Sequence, residues 1–544
     1  MVKASNESMT NFAEIGENYF SRNSFITSLL YFEKALVLDP SIADHVYKIG
    51  FCNLQNLNHE RARQYFESVL LIEKNHEKTI QNLGIAWNLA GETQCAIHCF
   101  QISCCITPSN FASNYNLGIA YFSLKQHEQS KNYLKHAALI NPSSHEVSYN
   151  LGVIANQSGN HALAVQRYLD SISLDPSQSS AYFNLGVSYF ELSIPQKAID
   201  SYQLALSIDP QHIQSHWNLS HCLLLIDDYK NGFIEYEWRW KQNEVYYQQK
   251  QRSFSSHLWL GQEPLDHKTI LIFAEQGFGD TLQFIRFCNH HFFKNSTVVL
   301  EVQTDLVNLV RSSFPNVNVI ALGQGLVESD FHIPLMSLPL ALGIESPQAL
   351  YSEPYVFPST QSVDEWKIKT INISNPRIGL VWSSGYRIDQ EETWEANKKR
   401  NLQLLNFHFL REFDASFFTL QKGFIPQSEF EALKNEKWGG PFLIDFTHEL
   451  VDFEQTAALI SQLDLIITVD TSVAHLAGAM GKPTLLLLKF NADWRWHHLS
   501  EKSKWYPNSR IFRQPTPGDW KSPLEQLNQH LRSILVTADY SQLL

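Results

Sequence analysis

Two turns in the second half of this 544-residue chain set acidic, hydroxyl and imidazole side chains where strands hand over to helices. The stronger is Leu465–Leu488, LIITVDTSVAHLAGAMGKPTLLLL. LIITV is rich in β-branched residues and too short for an ordinary helix, so it reads as a buried strand. Asp470, Thr471 and Ser472 are N-cap residue types directly before VAHLAGAM; Gly481 and Pro483 stop that helix, and TLLLL is a second buried strand. This predicts a β-loop-α-β unit whose loop sits at the carboxyl end of a parallel strand. The free N–H groups and dipole of a helix start attract anions there. Asp470, Thr471, Ser472, Val473, Ala474 and His475 therefore form either a phosphate or nucleotide site or an ordinary, well-capped crossover. His475, in the first helical turn, would hydrogen-bond such an anion or fill the core.

The second turn follows a strand over Ile270–Ala274 and reads Glu275, Gln276, Gly277, Phe278, Gly279, Asp280 before a helix, TLQFIRFCNHHF. Leu282 stands where GxGxxG needs its third glycine, which argues against a dinucleotide. The better use of Gly277 and Gly279 is to present Asp280 at a helix start, where the dipole favours the ionised carboxylate. Asp280 is then a general base, a helix cap, or both. A third group lies at VWSSG, where Ser383 follows a strand, and in the loop after it, which carries Lys398, Lys399 and Arg400. These cations would neutralise a diphosphate or be solvated. Trp494, Arg495 and Trp496 border a base or sugar pocket, or pack as an aromatic cluster. No Asp-x-Asp triplet occurs, so the carboxylate pair of a metal-dependent transferase is missing and no metal site is expected.

The elements that must position these residues form two series. Strands are expected at Ile270–Ala274, Thr297–Val302, Asn316–Ala321 and Asp330–Pro334. A Pro- and Ser-containing linker near 346–363 follows, and then strands at Arg377–Trp382, Ser416–Gln421, Phe442–Phe446, Leu465–Val469 and Thr484–Leu488. Strands alternating with helices in two sets imply two doubly wound lobes around a cleft.

The first half repeats. Gly16, Gly50, Gly84, Gly118, Gly152 and Gly186 recur every 34 residues, with Pro40, Pro108, Pro142, Pro176 and Pro210 in the same register. Small residues at Ala62, Ala96, Ala164 and Ala198 are each followed four residues on by Phe66, Phe100, Tyr168 and Tyr202. Glycine lets paired helices approach, the aromatic fills the groove, and proline stops the second helix. This pattern resembles the tetratricopeptide repeat, a helix–turn–helix unit. Asn82, Asn116, Asn150, Asn184 and Asn218 form a further column two residues before the glycine. A carboxamide both donates and accepts, so such a ladder suits the backbone of a protein or peptide partner on the concave face. Asn is also frequent at this position in such repeats generally. Trp238, Trp240, Tyr246 and Tyr247 look like a surface that ends the array.

Net charge is −13, which gives no support to nucleic-acid binding. Seven scattered Cys without a CxxC pair suggest reduced thiols. The first residues lack the apolar core of a signal peptide, and no run is long and apolar enough to span a bilayer. A cytoplasmic protein is expected.

AEQGFGDTLQFIRF, VDTSVAHLAGAMGKP and DWRW together resemble the glycosyltransferase domain that follows tetratricopeptide repeats in many bacterial proteins. That domain is similar to the lipopolysaccharide heptosyltransferases, family 9 of the glycosyltransferases, and the repeat half resembles the protein O-linked N-acetylglucosamine transferases through its Asn ladder. The resemblance implies an α-solenoid followed by an α/β GT-B fold of two doubly wound Rossmann-like lobes. The expected boundaries are repeats over 9–242, a docking segment over 243–268, an N-terminal lobe over 269–360 and a nucleotide-sugar lobe over 375–535. It implies inverting, metal-independent sugar transfer, with no cofactor beyond the nucleotide-sugar donor. Asp280 takes the place of the family's proposed base. Asp470–His475 takes that of the sugar-nucleotide loop, although Ser472 stands where the family often has Gly. Gly277, Gly279, Ser383, Lys399 and Arg400 complete the expected donor site. The competing expectation is a repeat-based scaffold with a degenerate transferase half.

Overall fold

The computed structural model describes residues 2–39, 42–242, 254–325, 327–350, 353–384, 399–423, 428–431 and 439–536. It divides into two compact units, Met1–Leu192 and Ser193–Leu544. Lys398, Tyr246 and Tyr247 lie outside the described residues.

The first unit is a run of antiparallel helix pairs: α1 (Val2–Ser21) with α2 (Phe25–Leu38), α3 (Ala43–Gln55) with α4 (His59–Ile72), α5 (Glu77–Leu89) with α6 (Thr93–Ile106), α7 (Phe111–Ser123) with α8 (His127–Ile140), α9 (His145–Gln157) with α10 (His161–Leu174), and then α11 (Ser179–Glu191). The glycine column acts as its spacing suggests. A Cβ on Gly84 would stand 2.6 Å from the Phe100 ring, and one on Gly118 2.5 Å from Leu134. Small cores recur between successive pairs, such as Ala62, Phe66, Ile80, Leu83 and Ala86. The array therefore has no single centre and is held by neighbour-to-neighbour burial.

A column invisible in the repeat pattern appears at the turns inside the helix pairs. Asn23, Leu57, Gly91, Lys125, Gly159, Ser193 and Asp227, again 34 residues apart, all have positive φ. Only two of the seven are glycine, so the others carry the left-handed turn at a steric cost.

The second unit begins with helices of the same repeat, α12 (Pro195–Ile208), α13 (Ile213–Leu225) and α14 (Tyr229–Tyr236). Two parallel sheets follow. The first holds β1 (His257–Leu258), β2 (Thr269–Phe273), β3 (Thr297–Val302), β4 (Asn318–Ala321) and β5 (Phe331–Pro334) in the order β1-β5-β2-β3-β4. The second holds β6 (Arg377–Val381), β7 (Ser416–Thr419), β8 (Leu443–Asp445), β9 (Leu465–Val469), β10 (Thr484–Leu488) and β11 (Ser509–Arg513) in the order β11-β10-β9-β6-β7-β8. β9 and β10 are buried at every position, as their unbroken apolar runs require. Each sheet reverses its winding once, between β2 and β5 in the first and between β6 and β9 in the second. Among the described residues no helix is long and apolar enough to cross a membrane.

Four expectations are corrected here. The segment 243–268 contributes a strand, β1, that pairs with β5. β11 was not expected as a strand; it pairs with β10 along its whole length. The helix expected at TLQFIRFCNHHF starts earlier, at Phe278–Phe284, and tightens to a 3-10 turn over Ile285–Asn289, where Arg286 Nε bonds back to the Gln283 carbonyl at 2.9 Å. Part of the expected linker is docked, with the Tyr355 and Val356 amides both donating to the Ala479 carbonyl.

Leu57 offers a direct test of the turn column. Its φ is +62° and its side chain is 76% exposed, so it loses little packing on removal. Relief of the left-handed penalty, about 1–2 kcal/mol, exceeds the extra chain entropy of glycine, about 0.5–1 kcal/mol. Leu57→Gly is expected to raise the urea midpoint of the repeat unit; a lowered midpoint would contradict it.

Candidate functional site

Both expected motifs lie where their sheet reverses. The Glu275–Asp280 turn leaves β2 beside β5, and the Asp470–Ser472 loop leaves β9 beside β6. In doubly wound sheets the crevice at that point is open, because neighbouring connections leave toward opposite faces. The helices that start there, Phe278–Phe284 and Ser472–Ala479, pack against each other. Gly279 permits it: a Cβ there would stand 2.7 Å from His475 Cδ2.

Asp280 is the third residue of its helix. Its Oδ2 accepts the Gly277 N–H at 2.8 Å, which caps the helix, and its Oδ1 accepts Arg495 Nη2 at 2.6 Å. The side chain keeps 21% exposure. Gly277 itself is the N-cap residue. Arg495 also holds Asp493 Oδ1 at 2.8 Å and Gln283 Oε1 at 2.7 Å, and its guanidinium lies 4.5 Å from the Trp494 ring centroid. Burial works against charge on Asp493, yet Arg495 overrides it and holds that carboxyl at about 2.

On the other helix one of the three expected cap residue types takes the N-cap. Thr471 is the N-cap residue, its side chain makes no capping bond but lies 3.2 Å from the Thr468 hydroxyl, and the helix begins at Ser472. Asp470 is not a cap; it accepts the Trp496 indole N–H at 2.9 Å. Burial, and next the charge of Asp493, push the Asp470 carboxyl upward, while Arg400 pulls the other way. Ser472 and Val473 are half-buried and Ala474 is buried. His475 is buried at 6% exposure, with Nδ1 2.9 Å from the Tyr506 hydroxyl and its ring stacked on Trp496 at 5.1 Å. Burial, and then Arg495, hold it down at about 4, so the imidazole is neutral at pH 7. It supports the junction of the two helices and lies against Gly279.

Ser383 and Ser384, just after β6, are buried. Gln421 Oε1 accepts the Ser383 amide at 2.9 Å, and Arg400 Nε donates to Ser384 Oγ at 2.9 Å. Arg400 thus reaches the crevice where Asp470 feels its charge, whereas Lys399 is exposed.

A cavity of about 240 Å³ lies beside this crevice, lined by Trp382, Thr419, Gln421, Phe430, Glu431, Asp445 and Thr447. None of these was singled out from the sequence. The signal was present, because Trp382, Thr419 and Asp445 end or follow β6, β7 and β8 at their carboxyl ends. Among the described residues no group of three or more His, Cys, Asp or Glu side chains is arranged to hold a metal.

In the first unit the Asn column has a partner the sequence did not disclose. Asn82, Asn150 and Asn184 each donate to a tyrosine of the preceding repeat, Tyr47 at 2.9 Å, Tyr115 at 3.1 Å and Tyr149 at 2.9 Å. Asn116 faces a repeat that has Gln81 in the tyrosine column and makes no such bond. All four are half-buried. Asn218 belongs to the second unit, on α13, and is also half-buried.

Comparison with known proteins finds repeats in the first half and a transferase family in the second. Residues 111–144 and 179–212 match the tetratricopeptide repeat, and residues 450–510 match glycosyltransferase family 9 (heptosyltransferase). The family-9 segment contains β9, the Asp470–His475 loop, β10 and the DWRW turn. Protein FlbA of Caulobacter vibrioides is 25% identical over 301 residues, 50% of this chain and 48% of that protein, so the chain spans about half the length of that curated relative. Among solved structures, MamA is 23% identical and covers 30% of this chain and 95% of its own, with a TM-score of 0.29. The pilF protein of Pseudomonas aeruginosa is 15% identical and covers 39% and 96%, with a TM-score of 0.35.

The depressed His475 predicts a pH dependence with a fixed sign. Its folded value of about 4 lies below the ordinary 6.5, so the unfolded chain binds the proton more readily. The stability His475 contributes is fully present above pH 6.5 and is lost as pH falls toward 4, on the order of 3 kcal/mol in all. In urea titrations His475→Gln is expected to flatten the fall in stability between pH 7 and 4.5. An unchanged slope would contradict the assignment.

Proposed function

We propose that the second unit is a glycosyltransferase that moves a sugar from a nucleotide-sugar donor to an acceptor brought by the repeats. The observation that carries this reading is the meeting of two helix starts, each at the winding reversal of its own sheet, with Asp280 on one and Thr471–Ala474 on the other. The family-9 match over 450–510 supports the donor side. In this reading the nucleoside enters the cavity between Trp382 and Phe430. The diphosphate lies on the Ser472 and Val473 amides at the helix start, with Arg400 and Lys399 as cations, while the Ala474 amide already donates to the Thr471 carbonyl at 3.0 Å.

Asp280 takes the proton of the acceptor hydroxyl as its oxygen attacks the anomeric carbon from the side opposite the diphosphate. The bond from that carbon to the phosphate oxygen breaks, and the negative charge passes to the helix amides and Arg400. The configuration inverts, and the chain's own N–H groups and cations do what a metal would do for the leaving group. The Asn column offers the acceptor's backbone its remaining acceptor capacity beside the tyrosine bonds. All seven cysteines are free thiols, which suits a cytoplasmic setting where nucleotide sugars are available.

One observation favours the scaffold alternative: both Asp280 oxygens already serve structure, as a helix cap and as an ion-pair partner. Asp280→Asn separates the two. A placed base contributes about 10²–10⁴-fold, so turnover of the cognate donor should fall by that factor in the folded variant. The scaffold reading predicts lowered stability with turnover per folded molecule unchanged or absent from the start. Single-turnover rates and melting temperatures of both proteins decide, with the donor chosen from UDP-, GDP-, ADP- and CMP-linked sugars by thermal shift.

A further inference from the structure

We propose that Arg495 is the positioning residue for Asp280, fixing the plane of its carboxylate across the boundary between the two lobes; this rests on the transferase reading above. Arg495 lies on the 3-10 turn Trp494–Trp496 of the second lobe, yet two of its acceptors, Asp280 and Gln283, belong to the first. Its side chain is 9% exposed. Nε goes to Gln283, Nη1 to Asp493 and Nη2 to Asp280, so each nitrogen of the planar fork has its own acceptor and the guanidinium cannot rotate without breaking a bond. The Trp494 ring closes one face of it.

Asp280 is thereby held at both oxygens, by Gly277 and by Arg495, while lone pairs remain on the edge that keeps 21% exposure. A carboxylate tethered at one oxygen alone would swing about its Cβ–Cγ bond.

The neighbours of Arg495 extend the same device. Trp494 packs edge-on against Phe233 and Tyr236 of α14, while Trp496 bonds Asp470 and stacks on His475. Three consecutive residues thus touch the last repeat helix, the base and the donor loop. The orientation of Asp280 is tied to the seating of both.

The test uses the full chain with Arg495→Ala and Arg495→Lys, reading hydrolysis of UDP-, GDP-, ADP- and CMP-linked sugars and binding of the free nucleotides. Loss of orientation should cut kcat about 10²-fold while leaving the donor KM within about twofold. Lysine should restore part of the loss, and added guanidinium ion at millimolar concentration should restore part of it in Arg495→Ala but not in Asp280→Asn. If Arg495→Ala does not fold, Arg495→Lys carries the test through the same split. Wild-type rates in both variants overturn the proposal. So does weakened nucleotide binding at unchanged kcat, which would make Arg495 a phosphate ligand. A lowered melting temperature with unchanged rate per folded molecule also overturns it. If the wild-type chain neither binds these nucleotides nor hydrolyses the sugars, the transferase reading falls and takes the positioning role with it; wild-type turnover matched by both variants removes the positioning role alone.

Discussion

A guanidinium taken almost wholly out of water must be paired, and at Arg495 the pairing can be completed only by groups from both lobes. Breaking such a buried pair on one side costs roughly 3–5 kcal/mol, far more than an exposed ion pair is worth. That requirement fixes how the GFGD turn meets the DWRW turn. A second buried arginine works in the same way at the end of α14. Arg239, just past α14, forks onto Glu275 with both contacts at 2.9 Å and reaches Ser337 at 2.7 Å, tying the end of the repeats to β2 and β5. Through Arg239 and Trp494 the last helical pair contacts both lobes, and it lies in the same compact unit as they do.

The two lobes use one topological device twice. Each presents a strand–loop–helix unit where its sheet reverses, and the paired helices bring both loops together. Gly279 and His475 are complementary parts of that contact, since a side chain at 279 would occupy the place of the imidazole. The neutral state of His475 follows from the same burial. At the junction Asp280 keeps an exposed edge, and Ser472 and Val473 at the start of the other helix are half-buried.

Local order was legible in the sequence, and partnership across the chain was not. The 34-residue period, the strands around DTSVAH and the small-residue contacts of the glycine column all follow from neighbours within one repeat or one β-loop-α unit. β1 escaped because two residues carry no periodicity and exist as a strand only through β5. Asp470 was read as a cap from its type and place; the Trp496 indole that claims it is 26 residues away. Arg495 was read as a pocket border because its partner at Asp280 is 215 residues distant. The turn column from Asn23 to Asp227 was hidden for another reason: φ there is set by the closing of each helix pair, whatever the residue type. The Asn column was visible, but the tyrosines that hold three of its members stand 35 residues earlier, one repeat away.

The central claim is that the start of the Ser472–Ala479 helix holds the phosphates of a nucleotide. Hydrogen exchange of the full chain, with and without saturating UDP, GDP, ADP or CMP, addresses it at the amides themselves. Amides that donate to phosphate oxygens exchange more slowly, so at least one nucleotide should protect the peptide spanning 470–475. Unchanged exchange in 470–475 with a nucleotide demonstrably bound would contradict the account.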